Sequence, residues 1–576
     1  MMSTSEEEIT AKTERKPINH PVLGIPRDDG PATESRGIDW VVFGVTAVIA
    51  ACFLTWGFLN TESLAGAADT ALTWVMTNTG WLFVLSTSMF VVFVLWLALG
   101  RYGTIPLGRD DEEPEFNGVS WVAMMFSAGM GIGLMFFGVV EPLSHLSTPP
   151  PGTGAEGGPD AVQNAMATTL FHWTLHPWAI YAVVGLAIAY GVYRKGRLQL
   201  VSAAFEPLLG SRANGPWGKV IDMLAIFATL FGSAASLGLG ALQIRSGLQI
   251  VGGIGETGNA ILIIIIAVLT AAFVVSAVSG VAKGIQWLSN INMVLAMVLA
   301  LFVFVVGPTI FILNLLPTAV GSYFADLAEM AARTGAEGPD VEVWLQSWTV
   351  FYWAWWVSWA PFVGVFIARI SRGRTIRQFV TGVLLIPSAV SLVWFAVLGG
   401  SAMNVQQEGT DLAGEGGAEQ QLFTLLDQFP LATVASVLVM LLVAIFFVTG
   451  ADSASIVMGS LSQRGTIRPR WGVVVFWGVA TGSVAAVMLL VGGEDALTGL
   501  QTITIVAALP FLLVMIGLAV SLVKDLRQDP AVVRRQYATE AIKTAVITGV
   551  TRHGDDFVIS VEKDPDADDD EPSASR

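Results

Sequence analysis

Cysteine and charge are scarce in this sequence. Among 576 residues there is one cysteine, Cys52, which excludes a disulfide within the chain and a metal site built from several thiolates. Charged residues make up 13% of the chain and hydrophobic residues 53%, whereas a water-soluble domain of this length needs far more charge to cover its surface. Segment 1–36 lacks the apolar stretch of a cleaved signal peptide. The composition predicts an integral membrane protein, and the scattered basic residues predict no nucleic-acid partner.

Hydrophobic runs of about 20 residues, long enough to cross the hydrocarbon core of a bilayer, recur along the chain. We place twelve spans near 38–58, 80–100, 119–140, 163–193, 217–250, 257–281, 286–316, 350–372, 375–402, 429–458, 471–491 and 496–523. These runs predict an all-α polytopic membrane protein with a twelve-span domain at 38–523. An acidic cytoplasmic tail at 1–37 precedes this domain. A second tail at 524–576 follows it, with a predicted helix at 530–550 and an acidic, disordered end.

Basic residues fall almost entirely on one side of these spans. Of the 30 Lys and Arg residues, 28 lie on one side, in the tails and loops or at the span ends beside them; Arg333 lies in a loop on the opposite side and Arg245 lies inside a span. Loops rich in Lys and Arg remain in the cytoplasm when a membrane protein is inserted. The alternation therefore predicts that both termini are cytoplasmic and that the chain is a multi-pass protein of the inner, cytoplasmic membrane.

The third span carries three alternating glycines, Gly129, Gly131 and Gly133, halfway along its length. Glycines at this depth permit an unwound stretch, whose freed backbone groups must face protein or a water-filled cavity. The alternative is close helix packing through small residues. Discontinuous helices at the membrane midplane often form the binding site of a transporter, so the glycines predict such a site here.

Tryptophan is abundant, with 19 residues, and two aromatic clusters lie inside spans, at 172–181 and 351–362. On one face of the eighth span stand Trp355, Trp359, Phe362 and Phe366. Aromatic faces hold a quaternary ammonium group, which has no N–H to donate, at about 0.5–2 kcal/mol per ring. Neither cluster contains an acid, which favours a zwitterion whose carboxylate binds backbone N–H groups at the broken helix. The alternative is an interfacial aromatic belt or ordinary core packing.

Hydroxyl side chains in the same region are candidate ligands for sodium. Thr229 and Ser233 stand one turn apart in the fifth span, and Thr449 lies in the tenth. Together with freed backbone carbonyls, such oxygens can bind a small cation without a net negative charge. The alternative is that each hydroxyl bonds to a carbonyl of the preceding turn of its own helix.

Four segments resemble the betaine–choline–carnitine transporter family. They are AGMGIGLMF at 128–136 with Glu141 and Pro142, HWTLHPWAIY at 172–181, WAWWVSWAPFVG at 353–364 followed by IARISRGRT at 367–375, and FVTGADS at 447–453. The resemblance implies a transporter of two inverted five-helix repeats, spans 3–7 and 8–12, after two extra helices. The predicted topology agrees with inversion, because span 3 starts in the cytoplasm and span 8 starts outside.

The resemblance also implies roles for individual residues. The substrate cage would be formed by Trp173, Trp178, Tyr181 and Trp356, with Met130 and the glycines Gly129, Gly131 and Gly133 closing one side. Trp355 and Trp359 would line the inward path, and Phe351 and Phe366 would act as gates. One sodium site would comprise Thr229, Ser233 and Phe362, and the other Ser127, Met130, Phe446 and Thr449.

Two positions bear on specificity and coupling. Sodium-coupled members of the family usually have Ser after the Thr of the tenth span, whereas this chain has Gly450, which removes a hydroxyl ligand. Gly133 is the form similar to betaine carriers, and members that move choline tend to have Asp there. The resemblance further implies a homotrimer, with an amphipathic segment around 323–337 as a packing element.

Taken together, these features predict a secondary active importer of a quaternary-ammonium osmolyte, most of all glycine betaine, by sodium symport and alternating access. No cofactor is expected besides sodium as the coupling ion. Carnitine, choline or another onium solute, and sodium-independent exchange, are alternatives. A membrane enzyme would rest only on His172 and His176, four residues apart, but no third metal ligand is evident and no catalytic Glu stands between them.

Overall fold

The computed structural model describes residues 37–560 except 130, 159, 256, 280, 281, 415, 416 and 494. At 126–129, 278–279 and 282–287 it describes the backbone but not the side chains. The described residues up to 524 belong to one compact unit, and residues 525–560 belong to a second.

Helices account for the regular structure of the described residues, apart from one isolated bridge between Pro106 and Thr375. In chain order they are α1 (Trp40–Leu59), α2 (Thr61–Leu99), α3 (Gly118–Gly129), α4 (Ile132–Ser147), α5 (Ala161–Trp173), α6 (Leu175–Ala189), α7 (Glu206–Leu209), α8 (Pro216–Gly252), α9 (Asn259–Ser279), α10 (Ala282–Val306), α11 (Thr309–Ala332), α12 (Pro339–Ser347), α13 (Thr349–Ile370), α14 (Ile376–Gln407), α15 (Gln421–Asp427), α16 (Ala432–Ser462), α17 (Trp471–Val491), α18 (Ala496–Leu526) and α19 (Pro530–His553).

The predicted number of spans is confirmed, although one member of the set differs. Among the described residues, twelve helical segments are long and apolar enough to cross a membrane. The predicted third span is not one of them, because it divides into α3 and α4, each too short to span alone. Its place in the count is taken by α11, part of which we had assigned to an amphipathic segment outside the spans.

Two predicted spans have the wrong bounds. The seventh, near 286–316, is interrupted at Gly307–Pro308, where α10 ends and α11 begins; a proline cannot donate the backbone hydrogen bond that would continue the helix. The second, near 80–100, extends back to Thr61, because the Asn60 side chain caps the new start by accepting a hydrogen bond from the backbone N–H of Ser63 at 3.1 Å.

Helix packing relates the two predicted repeats. Helix α4 of the first repeat packs against α14 of the second repeat. The predicted counterpart of α4 is α13, and it packs against α6, which is the counterpart of α14 in the first repeat. Likewise α17 packs against α8, and their counterparts α9 and α16 are also in contact. This exchange of partners is the pattern that an inverted repeat requires. It brings the helices at 118–194 and 349–407 together as one group, and α8, α9, α16 and α17 as another.

The second unit contains α19. This helix begins at Pro530, directly after Asp529, whose carboxylate accepts a hydrogen bond from the backbone N–H of Ala531 at 2.8 Å. Proline is well tolerated in the first turn of a helix, where its missing N–H has no intrahelical partner. The predicted helix at 530–550 is therefore present and extends slightly further, to His553.

Candidate functional site

The predicted interruption of the third span is present. α3 ends at Gly129 and α4 begins at Ile132, with Gly131 in an extended conformation (φ −170°, ψ −178°). Met130, to which both substrate and sodium binding were assigned, lies outside the described residues, as does the side chain of Ser127. The first N–H groups of α4 have no partners within the helix, so this helix start offers donors to a ligand.

A second interruption divides the predicted fourth span and was not anticipated. α5 ends at Trp173 and α6 begins at Leu175, with Thr174 between them in a non-helical conformation. The sequence feature that indicates this break is Pro177. Proline has no N–H to donate to the carbonyl of Trp173 four residues earlier, and its ring would clash with that carbonyl. The break places Trp173 at the end of one helix, and Trp178 and Tyr181 on the next.

Four predicted cage residues surround one small cavity of about 50 Å³: Trp173, Trp178, Tyr181 and Trp356. Trp356 packs edge-to-face against Trp173, with ring centroids 4.9 Å apart and planes at 72°. Tyr181 lies edge-on to Trp356 at 6.4 Å and to Trp178 at 5.4 Å. Gly131, Gly133, Trp355 and Trp359 also line this cavity. The structure therefore brings the two aromatic clusters of the sequence together at the broken helix.

Hydrogen bonds to the indole nitrogens set the orientation of the tryptophan rings. Trp356 Nε1 donates to the carbonyl of His172 at 3.0 Å, and Trp359 Nε1 donates to the carbonyl of Gly232 at 2.8 Å. Trp355 Nε1 donates to the hydroxyl of Ser236 at 3.1 Å. Because each donor already has a partner in the protein, the rings present their faces rather than their N–H groups to the cavity.

A buried carboxylate lies directly behind the cage, and sequence reasoning missed it. Glu141 Oε2 accepts from Trp173 Nε1 at 2.6 Å and from the hydroxyl of Tyr352 at 2.5 Å, while its Oε1 lies 2.6 Å from His172 Nδ1. Neither aromatic segment contains an acid, but this one reaches them from α4. The only indication of Glu141 in the sequence was its position in a segment that resembles the family.

The two histidines considered as a metal pair do not converge. The break after Trp173 separates them, so that His172 turns to Glu141 while His176 stacks on Trp353, with ring centroids 4.9 Å apart. A different trio of potential ligand atoms, on Glu141, His145 and His172, lies within 4.8 Å of one another and is fully buried.

A larger cavity of about 180 Å³ adjoins the cage and lies between the two helix groups. It is lined by the candidate sodium ligands Ser233, Phe362, Phe446 and Thr449, by the path residue Trp359 and by the gate residue Phe366. Gly450 and Ser453 extend the lining along α16. Thr229 is buried one turn before Ser233, but it is not among the described residues that line the cavity.

The two predicted gate residues lie at different places along α13. Phe351 is buried and stacks on Trp355, with ring centroids 5.6 Å apart, and it also contacts Phe137. Phe366 borders the larger cavity, one turn before α13 ends at Ile370. Packed rings therefore surround Phe351, whereas Phe366 faces a cavity near the end of α13 that the charge pattern predicts to be cytoplasmic.

Comparison with known proteins identifies the family of this chain. Residues 41–531 match the family described as BCCT, betaine/carnitine/choline family transporter. The betaine/ectoine transporter LcoP of Corynebacterium glutamicum is 47% identical over 527 residues, covering 91% of this chain and 84% of that protein. The glycine betaine transporter OpuD of Bacillus subtilis is 45% identical, covering 85% of this chain and 94% of OpuD. Glycine betaine transporter 1 of Vibrio parahaemolyticus is 40% identical, with the same two coverages.

Proposed function

Because the chain belongs to the betaine/carnitine/choline transporter family, and is therefore a membrane transporter rather than an enzyme, we propose that it imports glycine betaine by sodium symport with alternating access. We place it in the cytoplasmic membrane with both termini inside the cell and as a homotrimer, as the charge pattern and the resemblance predict. The observation that carries the proposal is the aromatic cage around Trp356.

The cage suits the trimethylammonium group of the substrate. Three tryptophans and one tyrosine surround the small cavity, and their polar N–H groups, where described, point away from it. An onium group held this way is recognised by the negative faces of the rings, without a salt bridge to an N–H donor. Each indole contributes more in a water-excluded site than on a surface, because the cation is not screened there.

The carboxylate of betaine has a separate partner in this proposal. Gly131, Gly133 and Leu134, at the start of α4, line the same cavity as the aromatic rings. The unpaired N–H groups and the positive end of the helix dipole favour an anion at this position. A zwitterion can therefore place its onium group in the cage and its carboxylate at the broken helix, which a net cation such as choline cannot do.

The hydroxyls beside the larger cavity support sodium coupling. Thr449 Oγ1 donates to the carbonyl of Ile445 at 2.9 Å, as expected from the alternative that each hydroxyl bonds within its own helix. That bond uses the hydroxyl proton and leaves lone pairs on the oxygen, which can still bind a cation. Ser233 reaches the same cavity from α8 and Phe362 reaches it from α13, so a sodium ion at the predicted site of Thr229, Ser233 and Phe362 would bridge the two helix groups.

Uptake of labelled glycine betaine into proteoliposomes tests the proposed function directly. We expect accumulation when sodium outside exceeds sodium inside, and little when potassium replaces sodium on both sides. Equal uptake of betaine in sodium-free buffer would contradict symport and favour sodium-independent exchange. Ectoine, which the name of one relative includes, is the second candidate and serves as the competing substrate. If ectoine displaces betaine completely at a lower concentration, betaine is not the preferred substrate.

Thr449→Val tests the cation site. Valine keeps the shape of threonine but removes the oxygen, and a sodium site without a carboxylate depends on each remaining ligand. We expect the half-saturating sodium concentration for betaine uptake to rise about fivefold, which corresponds to a loss of about 1 kcal/mol. Betaine binding at saturating sodium should survive. The matched control is Thr79→Val, which removes a hydroxyl bonded within α2 at 2.7 Å. Equal effects of the two substitutions would refute the assignment.

Gly450→Ser should increase the affinity for sodium. A Cβ at Gly450 meets nothing within 4 Å, and the position lines the same cavity as Thr449. The added hydroxyl can therefore reach the cation without displacing a neighbour. We expect the half-saturating sodium concentration to fall about threefold, as one additional oxygen ligand replaces water. Gly450→Ala, which adds bulk without oxygen, is the control, and an equal decrease with alanine would show that the hydroxyl is not a ligand.

A further inference from the structure

We propose that Glu141 determines specificity for the positive charge of the substrate, by orienting the cage tryptophans and by placing a negative charge behind them. The inference rests on the proposed function, since it concerns the onium group that the cage would hold. It assigns a role to a residue that lies outside the cage, outside the candidate sodium sites and outside the predicted gates.

The first argument is connectivity. Trp173 Nε1 donates directly to Glu141 Oε2 at 2.6 Å. Trp356, which packs edge-to-face against Trp173, donates through its Nε1 to the carbonyl of His172, whose own ring lies 2.6 Å from Glu141 Oε1. These two adjoining indoles of the cage are therefore both tied to one carboxylate, directly or through a single residue. A change at Glu141 alters the position of both rings.

The second argument is the charge state. Trp173 Nε1 can only donate a hydrogen bond, and Tyr352 donates to the same oxygen at 2.5 Å. His172 Nε2 lies 2.9 Å from the hydroxyl of Thr349, which can donate to it and leave the proton on Nδ1, facing Glu141. Three donors directed at one buried carboxyl group suit the ionised form, because charge-assisted hydrogen bonds offset its desolvation.

The third argument is the free-energy cost of burying an ionisable side chain. An ionisable side chain buried within a membrane-spanning segment is expensive and marks a functional site by default. Glu141 is fully buried, with an exposed fraction of 0%. Arg333 is one described cation near this cluster, with its guanidinium over the ring of Trp344, 5.1 Å from its centroid. Trp344 in turn stands beside His145 and His172, so Arg333 approaches Glu141 only across these rings.

The consequence is a field that favours a cation in the cage. Trp173 lines the cavity and also hydrogen-bonds Glu141, so a cation on its face would be separated from the carboxylate by one indole ring, close enough for attraction in a water-excluded site. A hydrogen bond to an anion also polarises the indole and increases electron density on its face. Both effects act on the positive charge and not on the shape of the substrate.

The experiment compares two ligands of nearly the same shape. In tert-butylacetate a neutral carbon replaces the quaternary nitrogen of glycine betaine, and the carboxylate is retained. Equilibrium binding of labelled betaine to the purified full chain, with tert-butylacetate as competitor, gives a selectivity ratio for charge. In Glu141→Gln we expect this ratio to fall about tenfold, because betaine loses the attraction between its onium group and Glu141, whereas tert-butylacetate has no positive charge to lose it. Glu141→Asp keeps the charge and should keep the ratio within about twofold, whatever happens to the absolute affinities.

The outcomes separate this inference from the proposed function. A wild-type chain that binds betaine no better than tert-butylacetate would overturn both. Equal losses for the two ligands in Glu141→Gln would show that Glu141 is only structural, and the proposed function would stand. If neither Glu141 variant folds, Trp173→Phe is compared with Trp178→Phe, because each weakens one aromatic face of the cavity but Trp173 also carries the hydrogen bond to Glu141. A larger fall of the ratio in Trp173→Phe supports the inference, and an equal fall in the two variants overturns it.

Discussion

Replacing Trp356 with leucine should raise the dissociation constant for glycine betaine about 10-fold or more, because one strong aromatic face in a desolvated cage contributes about 1–2 kcal/mol. Trp356 is positioned for this role from two sides. Its ring stacks on Trp355 at 4.7 Å, and its Nε1 is held by the carbonyl of His172 at 3.0 Å. Leucine retains hydrophobic volume but has no negative face to present to the onium group.

The measurement is equilibrium binding of labelled betaine to the purified protein, together with initial uptake rates in proteoliposomes. Trp471→Leu is the matched control, since Trp471 begins α17 and is 65% exposed in the described chain. The control separates loss of a cage wall from the general effect of removing a tryptophan. Unchanged betaine affinity in a correctly inserted Trp356→Leu protein would contradict the cage assignment.

Gly133→Asp should lower betaine binding about 10-fold or more and should not make the protein a choline transporter, since overpacking forces the surrounding rings out of position. The family resemblance alone favours the opposite expectation for choline, because members that move choline tend to have Asp there. In this structure a Cβ at position 133 would lie 2.7 Å from Cη2 of Trp355 and 2.9 Å from Cη2 of Trp173. Both rings are anchored by hydrogen bonds through Nε1, so neither can move aside without breaking one.

Gly133→Ala isolates the steric part of this effect, because it adds the Cβ without the charge. We expect alanine to cause most of the loss of betaine affinity, and aspartate to add to it by repelling the betaine carboxylate. Gly44→Ala is the control, since a Cβ at Gly44 in α1 meets nothing within 4 Å. Competition of choline against labelled betaine gives the second readout. Choline uptake by Gly133→Asp with betaine affinity intact would show that the rings accommodate the side chain.

Much of the architecture was predictable from local patterns. Runs of apolar residues predicted twelve spans, and the alternating glycines predicted the interruption between Gly129 and Ile132. The break at Thr174 was missed although Pro177 signalled it, because the apolar run continues through both α5 and α6. The division at Gly307–Pro308 was missed for the same reason. Hydropathy follows the environment of a segment and is insensitive to a short change in backbone direction.

The sequence by itself determined which residues are candidates for binding: the aromatic clusters, the hydroxyls beside them and the glycines of the broken helix. Those properties belong to single residues and to their spacing along one helix. Only the tertiary structure decided that Glu141 lies against Trp173 and Tyr352, that Trp356 uses the carbonyl of His172, and that Gly133 is pressed between two indoles. Each of these contacts joins different helices, and its geometry depends on how their surfaces interdigitate rather than on any periodicity along the chain.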